Sequence, residues 1–335
     1  MNLNNNSSID SAALDFLKEQ VGDSITISLV SGDASFRRYF RVETEDARYI
    51  LMDAPPLKED SAPFLDLSRF LYKNGIPVPQ VIAARLDLGF LLLDDFGDCT
   101  FLLALEQGES PDLLYRWAVD VLLDIQTTPV NGQTIAHERP YDRALLSREL
   151  ALFTDWYLEG ICKQSITVSD QKRFDSLFER VMEQVLCQPT CLVHRDYHSR
   201  NLMWRPQEQG RNRVGVLDFQ DAVMGPVTYD LASLLRDCYV AWDRSFRDQI
   251  SAWWLKGARD RLNYNRTNEE FERDFDWMAL QRNLKAVGIF GRLSLRDSKH
   301  GYLKDIPRTM SYIKETIIKY PELDELNGLI GRYVP

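Results

Sequence analysis

Three polar side chains in one short stretch of the chain have the types and spacing needed for phosphoryl transfer. Asp196 and Asn201 lie five residues apart in the segment HRDYHSRN, and Asp218 ends the apolar run VGVL that follows. A carboxylate such as Asp196 could orient an alcohol and accept its proton. The amide oxygen of Asn201 and the carboxylate of Asp218 suit a Mg²⁺ ion that bridges the phosphates of ATP. The pattern therefore indicates a base and two metal ligands, with His194 packed beneath the loop.

The elements that must position these residues fall into two parts of different character. Strand-like runs at 24–30, 39–44, 48–52, 78–83 and 89–93 dominate the first part, with helical patterns at 11–21 and 64–74. After Gly97 the apolar spacing becomes helical, and short apolar runs interrupt it only around the three polar residues. We expect an α+β fold in which residues 1–95 form a small β-rich lobe and residues 96–335 a larger, mostly helical lobe.

The segments HRDYHSRN and VLDFQD resemble the catalytic loop and the metal-binding Asp of protein kinases and of the related aminoglycoside phosphotransferases. The resemblance implies a protein-kinase-like two-lobed fold that binds ATP and Mg²⁺ between its lobes. It also implies that Asp230 accepts hydrogen bonds from the backbone of the catalytic loop. His198 would either touch the transferred phosphoryl group or pack within the loop.

The same resemblance assigns the nucleotide to two segments of the smaller lobe. The turn between the first two predicted strands would contact the phosphates, although the sequence alone fits an ordinary hairpin turn equally well. The connection between the lobes would contact the adenine through its backbone. The residues assigned in this way are Ser31, Gly32, Asp33, Ala34, Ser35, Asp94, Asp95 and Phe96.

Two departures from the kinase pattern bear on activity and on the size of the acceptor. Met52 occupies the strand position at which kinases carry a Lys that pairs with the α- and β-phosphates. The positive charge that this Lys supplies would come here from Arg37, Arg38 or Lys58, or it would be absent. If it is absent, the alternative is a nucleotide-binding pseudokinase that acts through a partner. No activation segment follows Asp218, so we expect a small acceptor molecule rather than a peptide.

Further segments extend the resemblance over nearly the whole chain. They are similar to the bacterial anomeric N-acetylmuramate/N-acetylglucosamine kinases of cell-wall recycling, a pattern that also accommodates Met52. The similarity implies transfer of the γ-phosphate of ATP to the C1 hydroxyl of an amino sugar. Kinases for other hydroxyl compounds, such as an aminoglycoside or a choline-like alcohol, remain the alternative. The segments are LVSGDASFRRYFRV, YILMDAPP, GIPVPQV, GFLLLDDFGD, RELALFTDWYL and LQRNLKAVGIFGRL.

Three cations in the apolar, helical stretch 280–293 are candidates for binding the acceptor. N-acetylmuramate carries a carboxylate on its lactyl group, and the guanidinium group of Arg binds carboxylates in a fork geometry. Arg282, Lys285 and Arg292 could serve in this way, or they could extend from a solvated helix face.

Composition excludes several other classes of function. The formal net charge of -10 argues against a general nucleic-acid binder, which needs a clustered basic surface. The five cysteines have no metal-site spacing, and no apolar run is long enough to span a membrane. The sequence begins without the pattern of a signal peptide. We expect a cytoplasmic enzyme with no obligate protein partner.

Overall fold

A five-stranded antiparallel sheet forms the core of the first part of the chain in the computed structural model, which describes residues 9–32, 36–129 and 132–334. Two helices, α1 (Ser11–Val21) and α2 (Ala62–Lys73), accompany this sheet. The strand order is β1-β2-β3-β5-β4. The strands are β1 (Thr26–Gly32), β2 (Arg38–Glu43), β3 (Arg48–Asp53), β4 (Val81–Arg85) and β5 (Phe90–Asp94).

Each face of this sheet packs against a different apolar cluster, because successive side chains of a strand point to opposite sides. Phe40, Val42 and Leu51 pack against α1 on the outer face. Met52 and Leu93 belong to a different apolar cluster on the inner face, which includes α2. The inner face therefore supplies the roof of the space in which the nucleotide site is expected.

The rest of the chain is mostly helical, as the sequence predicts. Two short antiparallel strand pairs carry the segment with the three polar residues: β6 (Thr190–Val193) with β9 (Val223–Pro226), and β7 (Leu202–Trp204) with β8 (Val214–Val216). No helix within the described ranges combines the length and the apolarity that crossing a membrane requires. The helices are α3 (Phe101–Glu106), α4 (Pro111–Gln126), α5 (Arg143–Leu152), α6 (Val168–Leu186), α7 (Tyr229–Leu235), α8 (Arg244–Leu262), α9 (Asn268–Asp297), α10 (Ile306–Lys319) and α11 (Asp324–Tyr333).

Helix α9 crosses the larger part of the molecule and lies unusually close to α5. Helix α5 continues directly into a π-helical segment, Phe153–Ile161, whereas the helical spacing of apolar residues over 141–159 predicts one uninterrupted α-helix. A Cβ atom at Gly288 of α9 would lie 2.3 Å from the carbonyl carbon of Leu152 and 2.4 Å from its oxygen. Because glycine allows this backbone contact, the middle of α9 is held beside α5.

Candidate active site

Asp196, Asn201 and Asp218, the three residues singled out by their spacing, meet in one place. The side-chain amide nitrogen of Asn201 donates to Oδ2 of Asp218 at 3.2 Å and to the carbonyl oxygen of Asp196 at 3.0 Å. In the part of the chain that the structure describes, no hydrogen bond engages the amide oxygen of Asn201, so this atom is available to a metal ion. The structure therefore brings the predicted base and both predicted metal ligands together.

Asp230 and His194 hold the start of the catalytic loop from below. The carboxylate of Asp230 accepts the backbone N–H groups of His194 at 2.7 Å and Arg195 at 2.9 Å. Nδ1 of His194 lies 3.2 Å from the backbone nitrogen of Asp196, and its Nε2 lies 2.8 Å from the carbonyl oxygen of Leu217. These contacts assign the proton to Nε2. Burial lowers the pKa of His194, so the ring is neutral and acts as a brace between the two strands of the site.

The second half of the loop is held by the segment after α7. Asp237 accepts the backbone N–H groups of Ser199 at 2.9 Å and Tyr239 at 2.8 Å. The ring of Tyr239 contacts the edge of His198, and its face contacts the guanidinium group of Arg200 at 3.6 Å. His198 therefore packs within the loop.

Asp196 is surrounded by basic side chains. Burial acts to raise the pKa of its carboxyl group, but nearby positive charge outweighs burial and the pKa lies below its ordinary value. Asp196 is therefore ionised at neutral pH and can accept a hydrogen bond from an alcohol. The basic residues responsible, from the strongest influence to the weakest, are Lys285, His198, Arg282 and Arg195.

The middle of α9 supplies two of those cations, and both are buried. Arg282 and Lys285 are each only 8% exposed, so the alternative of a solvated helix face is wrong for them. Lys285 is engaged by Glu149 and by the hydroxyl of Tyr229, each at 3.0 Å. Arg292 is less buried and lies ten residues beyond Arg282, about 15 Å along an α-helix.

Arg282 differs from Lys285 because it forms no ion pair with a carboxylate among the described residues. Its Nη2 lies 3.4 Å from the carbonyl oxygen of Arg195, and its buried Nε has no hydrogen-bond partner within the described residues. No carboxylate in those residues lies within ion-pair distance of Arg282. The guanidinium group therefore retains hydrogen-bonding capacity for a ligand next to Asp196.

A cleft of about 410 Å³ lies between the inner face of the sheet and the β7–β8 pair. Ile50 and Leu93 line it from the sheet, and Met203 and Leu217 line it from below, next to Asn201. Apolar surfaces on two opposite sides suit a flat nucleobase. The polar end of the cleft leads directly to the residues of the catalytic loop.

The predicted connection between the lobes runs along this cleft and is held rigidly. The carboxylate of Asp95 accepts hydrogen bonds from Arg41, at 2.6 and 3.1 Å, and from the backbone N–H of Gly97 at 2.8 Å. Asp94 accepts the backbone N–H of Gln80 at 3.2 Å. Asp94 and Asp95 therefore fix the shape of the connection with their side chains.

The ring of Phe96 contacts two groups of the larger lobe. The guanidinium group of Arg205 lies 3.9 Å from the ring centre, and the backbone of Gly215 lies against the ring edge. Phe96 thereby fastens the connection to strand β8.

The residues predicted to bind the phosphates are only partly within the described structure. Ser31 and Gly32 end β1, where their backbones pair with Tyr39 and Arg38 of β2. Asp33, Ala34 and Ser35 lie outside the described residues. The phosphate-loop role of all five remains a prediction.

None of the cations considered as substitutes for the strand Lys lines the cleft. Arg38 forms an ion pair with Asp53, and Arg37 lies 3.4 Å from Glu59. Lys58 lies over the ring of Phe36.

Arg41 is a cation that does line the cleft, and sequence reasoning missed it. The alternation of side chains along the predicted strand could have indicated this position, because Arg41 pairs directly with Ile50 and lies on the same face of the sheet.

The oxygen donors in this cleft fit a Mg²⁺ ion that shares its coordination with phosphate groups. The amide oxygen of Asn201 and the carboxylate of Asp218 are hard ligands, and Gln220 beside them has a buried Oε1 without a hydrogen-bond partner in the described chain. Within those residues no group of three or more His, Cys, Asp or Glu side chains could hold a metal ion by itself. Mg²⁺ is commonly bound through one or two protein ligands together with substrate phosphates.

Comparisons of the fold agree with the kinase-like geometry. The aminoglycoside phosphotransferase APH(2'')-Ib, solved with ADP bound, superposes with a TM-score of 0.62 at 16% identity, covering 92% of this chain and 99% of the other. An ethanolamine kinase from Plasmodium vivax gives a TM-score of 0.63 at 11% identity, covering 91% and 86%. The predicted protein-kinase-like fold is therefore confirmed.

Comparisons of the sequence are more specific. N-acetylmuramate/N-acetylglucosamine kinase of Pseudomonas aeruginosa is 41% identical over 305 residues, which cover 90% of this chain and 86% of the relative. The kinase of the same name from Neisseria meningitidis is 38% identical over 313 residues, covering 92% and 90%. The model of the phosphotransferase enzyme family matches residues 26–264. The protein therefore belongs to the phosphotransferase enzyme family and is a kinase.

Proposed function

We propose that the protein transfers the γ-phosphoryl group of ATP to the anomeric hydroxyl of N-acetylmuramate or N-acetylglucosamine. The observation that carries the proposal is the cluster of Asp196, Asn201 and Asp218 at one end of a cleft suited to a nucleotide. Relatives at 38 to 41% identity over about nine tenths of the chain are named as kinases of these two sugars. The reaction would take place in the cytoplasm, where ATP is present, and would feed the re-use of cell-wall sugars.

Asp196 is the proposed base. Its carboxylate, ionised at neutral pH, would orient the acceptor hydroxyl and take its proton as the bond to phosphorus forms. Asn201 and Asp218 would hold Mg²⁺, which neutralises charge on the phosphates when it is bound. An intact base argues against the alternative of a silent nucleotide-binding module, because binding alone does not require it.

The nucleotide would lie in the cleft with its base near the connection between the lobes. The backbone of residues Asp94–Phe96 would meet the adenine, and the turn at residues 31–35 would meet the phosphates. Rigid placement of the connection by Asp95 and Phe96 supports the first assignment.

Arg282 is the proposed partner for the lactyl carboxylate of N-acetylmuramate. Of the three candidate cations, Lys285 is already neutralised by Glu149, and Arg292 lies about 15 Å further along the helix. Arg282 lies beside Asp196 and has no carboxylate partner within the described residues. A buried guanidinium group that forms no ion pair with these residues has hydrogen-bond donors left for the carboxylate of a ligand.

The decisive experiment is a phosphorylation screen of both amino sugars, an aminoglycoside and choline, with phosphorus NMR to locate the new phosphate. We expect phosphate at C1 of the amino sugars. Phosphorylation of the aminoglycoside or choline alone would overturn the proposal.

The role of Arg282 is tested by Arg282→Met, with Arg292→Met as the matched control. A charged hydrogen bond is worth about 1.5–3 kcal/mol, so KM for N-acetylmuramate should rise roughly 10- to 100-fold. KM for N-acetylglucosamine, which has no carboxylate, should change much less. An equal rise for both sugars would remove the carboxylate contact from the proposal.

A further inference from the structure

We infer that Glu149 of α5 is a positioning residue that holds Arg195, the residue before Asp196, in its working geometry and pairs with two cations, Arg195 and Lys285, that act on Asp196. Glu149 was not among the residues that the sequence singled out. Glu149 would support phosphoryl transfer whichever acceptor the enzyme uses.

Glu149 gathers four groups from three other parts of the chain. It is 4% exposed, and both of its oxygens are occupied. Oε1 lies 2.5 Å from Nη2 of Arg195 and 3.0 Å from Nζ of Lys285. Oε2 accepts hydrogen bonds from Nε2 of Gln281 at 3.0 Å and from the hydroxyl of Tyr141. A buried carboxylate with this many donors is held in one orientation.

The contact with Arg195 matters because that residue has an unfavourable backbone conformation. Its φ is +79°, in the left-handed region that residues other than glycine rarely adopt. Asp230 accepts its N–H, Arg282 approaches its carbonyl oxygen, and Glu149 holds its side chain. Three contacts thus fix the residue that immediately precedes Asp196.

The charge of Glu149 matters as well as its position. Arg195 and Lys285 both act on Asp196, and Glu149 is the carboxylate that forms an ion pair with each of them. Without that negative charge, Arg195 and Lys285 would lose their shared acidic partner and would turn towards Asp196. Asp196 would then be drawn away from the acceptor hydroxyl, while the nucleotide cleft would keep its lining. We therefore expect a loss in kcat with little change in the KM for ATP.

The test is Glu149→Gln, which keeps the size and shape of the side chain and removes the charge. We expect kcat to fall about 10- to 100-fold, the scale of a misplaced catalytic group, with the KM for ATP within about threefold of its original value. Glu179→Gln is the matched control, because Glu179 pairs with Arg143 on the exposed surface. The control should leave kcat unchanged.

A double-variant comparison separates positioning from simple support of the fold. Arg195→Gly removes one of the two cations and adopts the left-handed backbone without strain. If Glu149 acts through Arg195, the double variant should lose less activity than the product of the two single losses. Losses that multiply, or full kcat in Glu149→Gln, would overturn the inference.

If Glu149→Gln fails to fold, Tyr141→Phe can be tested in its place, because it removes one hydrogen bond from the same carboxylate. This variant should lower kcat by roughly two- to threefold. An unchanged kcat would then overturn the inference. The outcome does not depend on the acceptor. If neither amino sugar is phosphorylated, the proposed function fails. The ratio of kcat between each variant and the unchanged protein can then be measured for ATP hydrolysis, with water as the acceptor.

Discussion

Replacing Gly215 by Ala should weaken nucleotide binding through the ring of Phe96. A Cβ atom at this position would lie 2.3 Å from Cδ2 of Phe96 and 2.8 Å from Cε2. Carbon atoms in contact are about 3.5 Å apart, so the ring must move by roughly 1.2 Å. Arg205 lies over the face of the ring, 3.9 Å from its centre, and limits movement of the ring in that direction. Displacement of the ring should therefore move the backbone of the connection between the lobes, which lines the cleft.

The size of the effect follows from the cost of overpacking. Inserting a methyl group into a packed site costs about 1–3 kcal/mol, and each 1.4 kcal/mol is tenfold in affinity. If about half of the cost falls on the nucleotide complex, the Kd for ADP should rise roughly fivefold. Calorimetric titration with ADP measures this change, and the KM for the acceptor should stay constant.

Gly257→Ala is the control that separates local from general effects. A Cβ atom there would also lie 2.3 Å from a side-chain carbon, Cδ1 of Leu123, but at the α4–α8 contact outside the cleft. Both variants should lose stability, and only Gly215→Ala should lose ADP affinity. Adding Phe96→Leu to Gly215→Ala should restore part of the affinity. Equal ADP affinities in the two single variants would refute the argument.

Three further changes test the site and its scaffold. Asp218→Ala should abolish the Mg²⁺ dependence of ATP binding in titrations; unchanged dependence removes Asp218 from the metal site. Gly288→Ala should lower the free energy of unfolding by about 3 kcal/mol or more, because the backbone of Leu152 cannot yield, whereas Gly301→Ala has open space. Burial lowers the pKa of His194 in the folded chain, so the ring takes up a proton more readily when the chain is unfolded. The free energy of unfolding should therefore decrease by up to about 1.4 kcal/mol per pH unit as pH falls below about 6.5. Urea unfolding of His194→Asn should lack this slope.

Sequence reasoning succeeded where the information is local. Asp196 and Asn201 are brought together by one short loop, so their spacing alone indicates their relation. Asp218 joins them because its strand is the next one along the chain, and β8 pairs with β7 directly after the loop. The strands of the sheet were also predictable, because turn residues separate the short apolar runs that form them.

The contacts that sequence reasoning missed depend on distant parts of the chain. Glu149 meets Lys285 across 136 residues of sequence, and nothing in its own helix marks it as buried. Arg282 and Arg292 looked alike as candidates, and only the path of α9 past the catalytic loop separates them. The π-helical segment after α5 begins where α9 approaches at Gly288, a tertiary contact that no local pattern carries.

The absence of the strand Lys is best understood together with the helix that faces it. Met52 is fully buried on the inner face of the sheet, and α2 presents Phe64 towards the cleft, where its ring lies 4.8 Å from that of Phe219. The acidic residue of α2, Asp66, is occupied on another side by the N–H of Ile135. A Lys at position 52 would therefore be buried without a carboxylate, at a cost of several kcal/mol. Met52, Phe64 and Phe219 belong to one apolar cluster that takes the place of an ion pair between the sheet and α2, so the missing Lys is compatible with an active kinase.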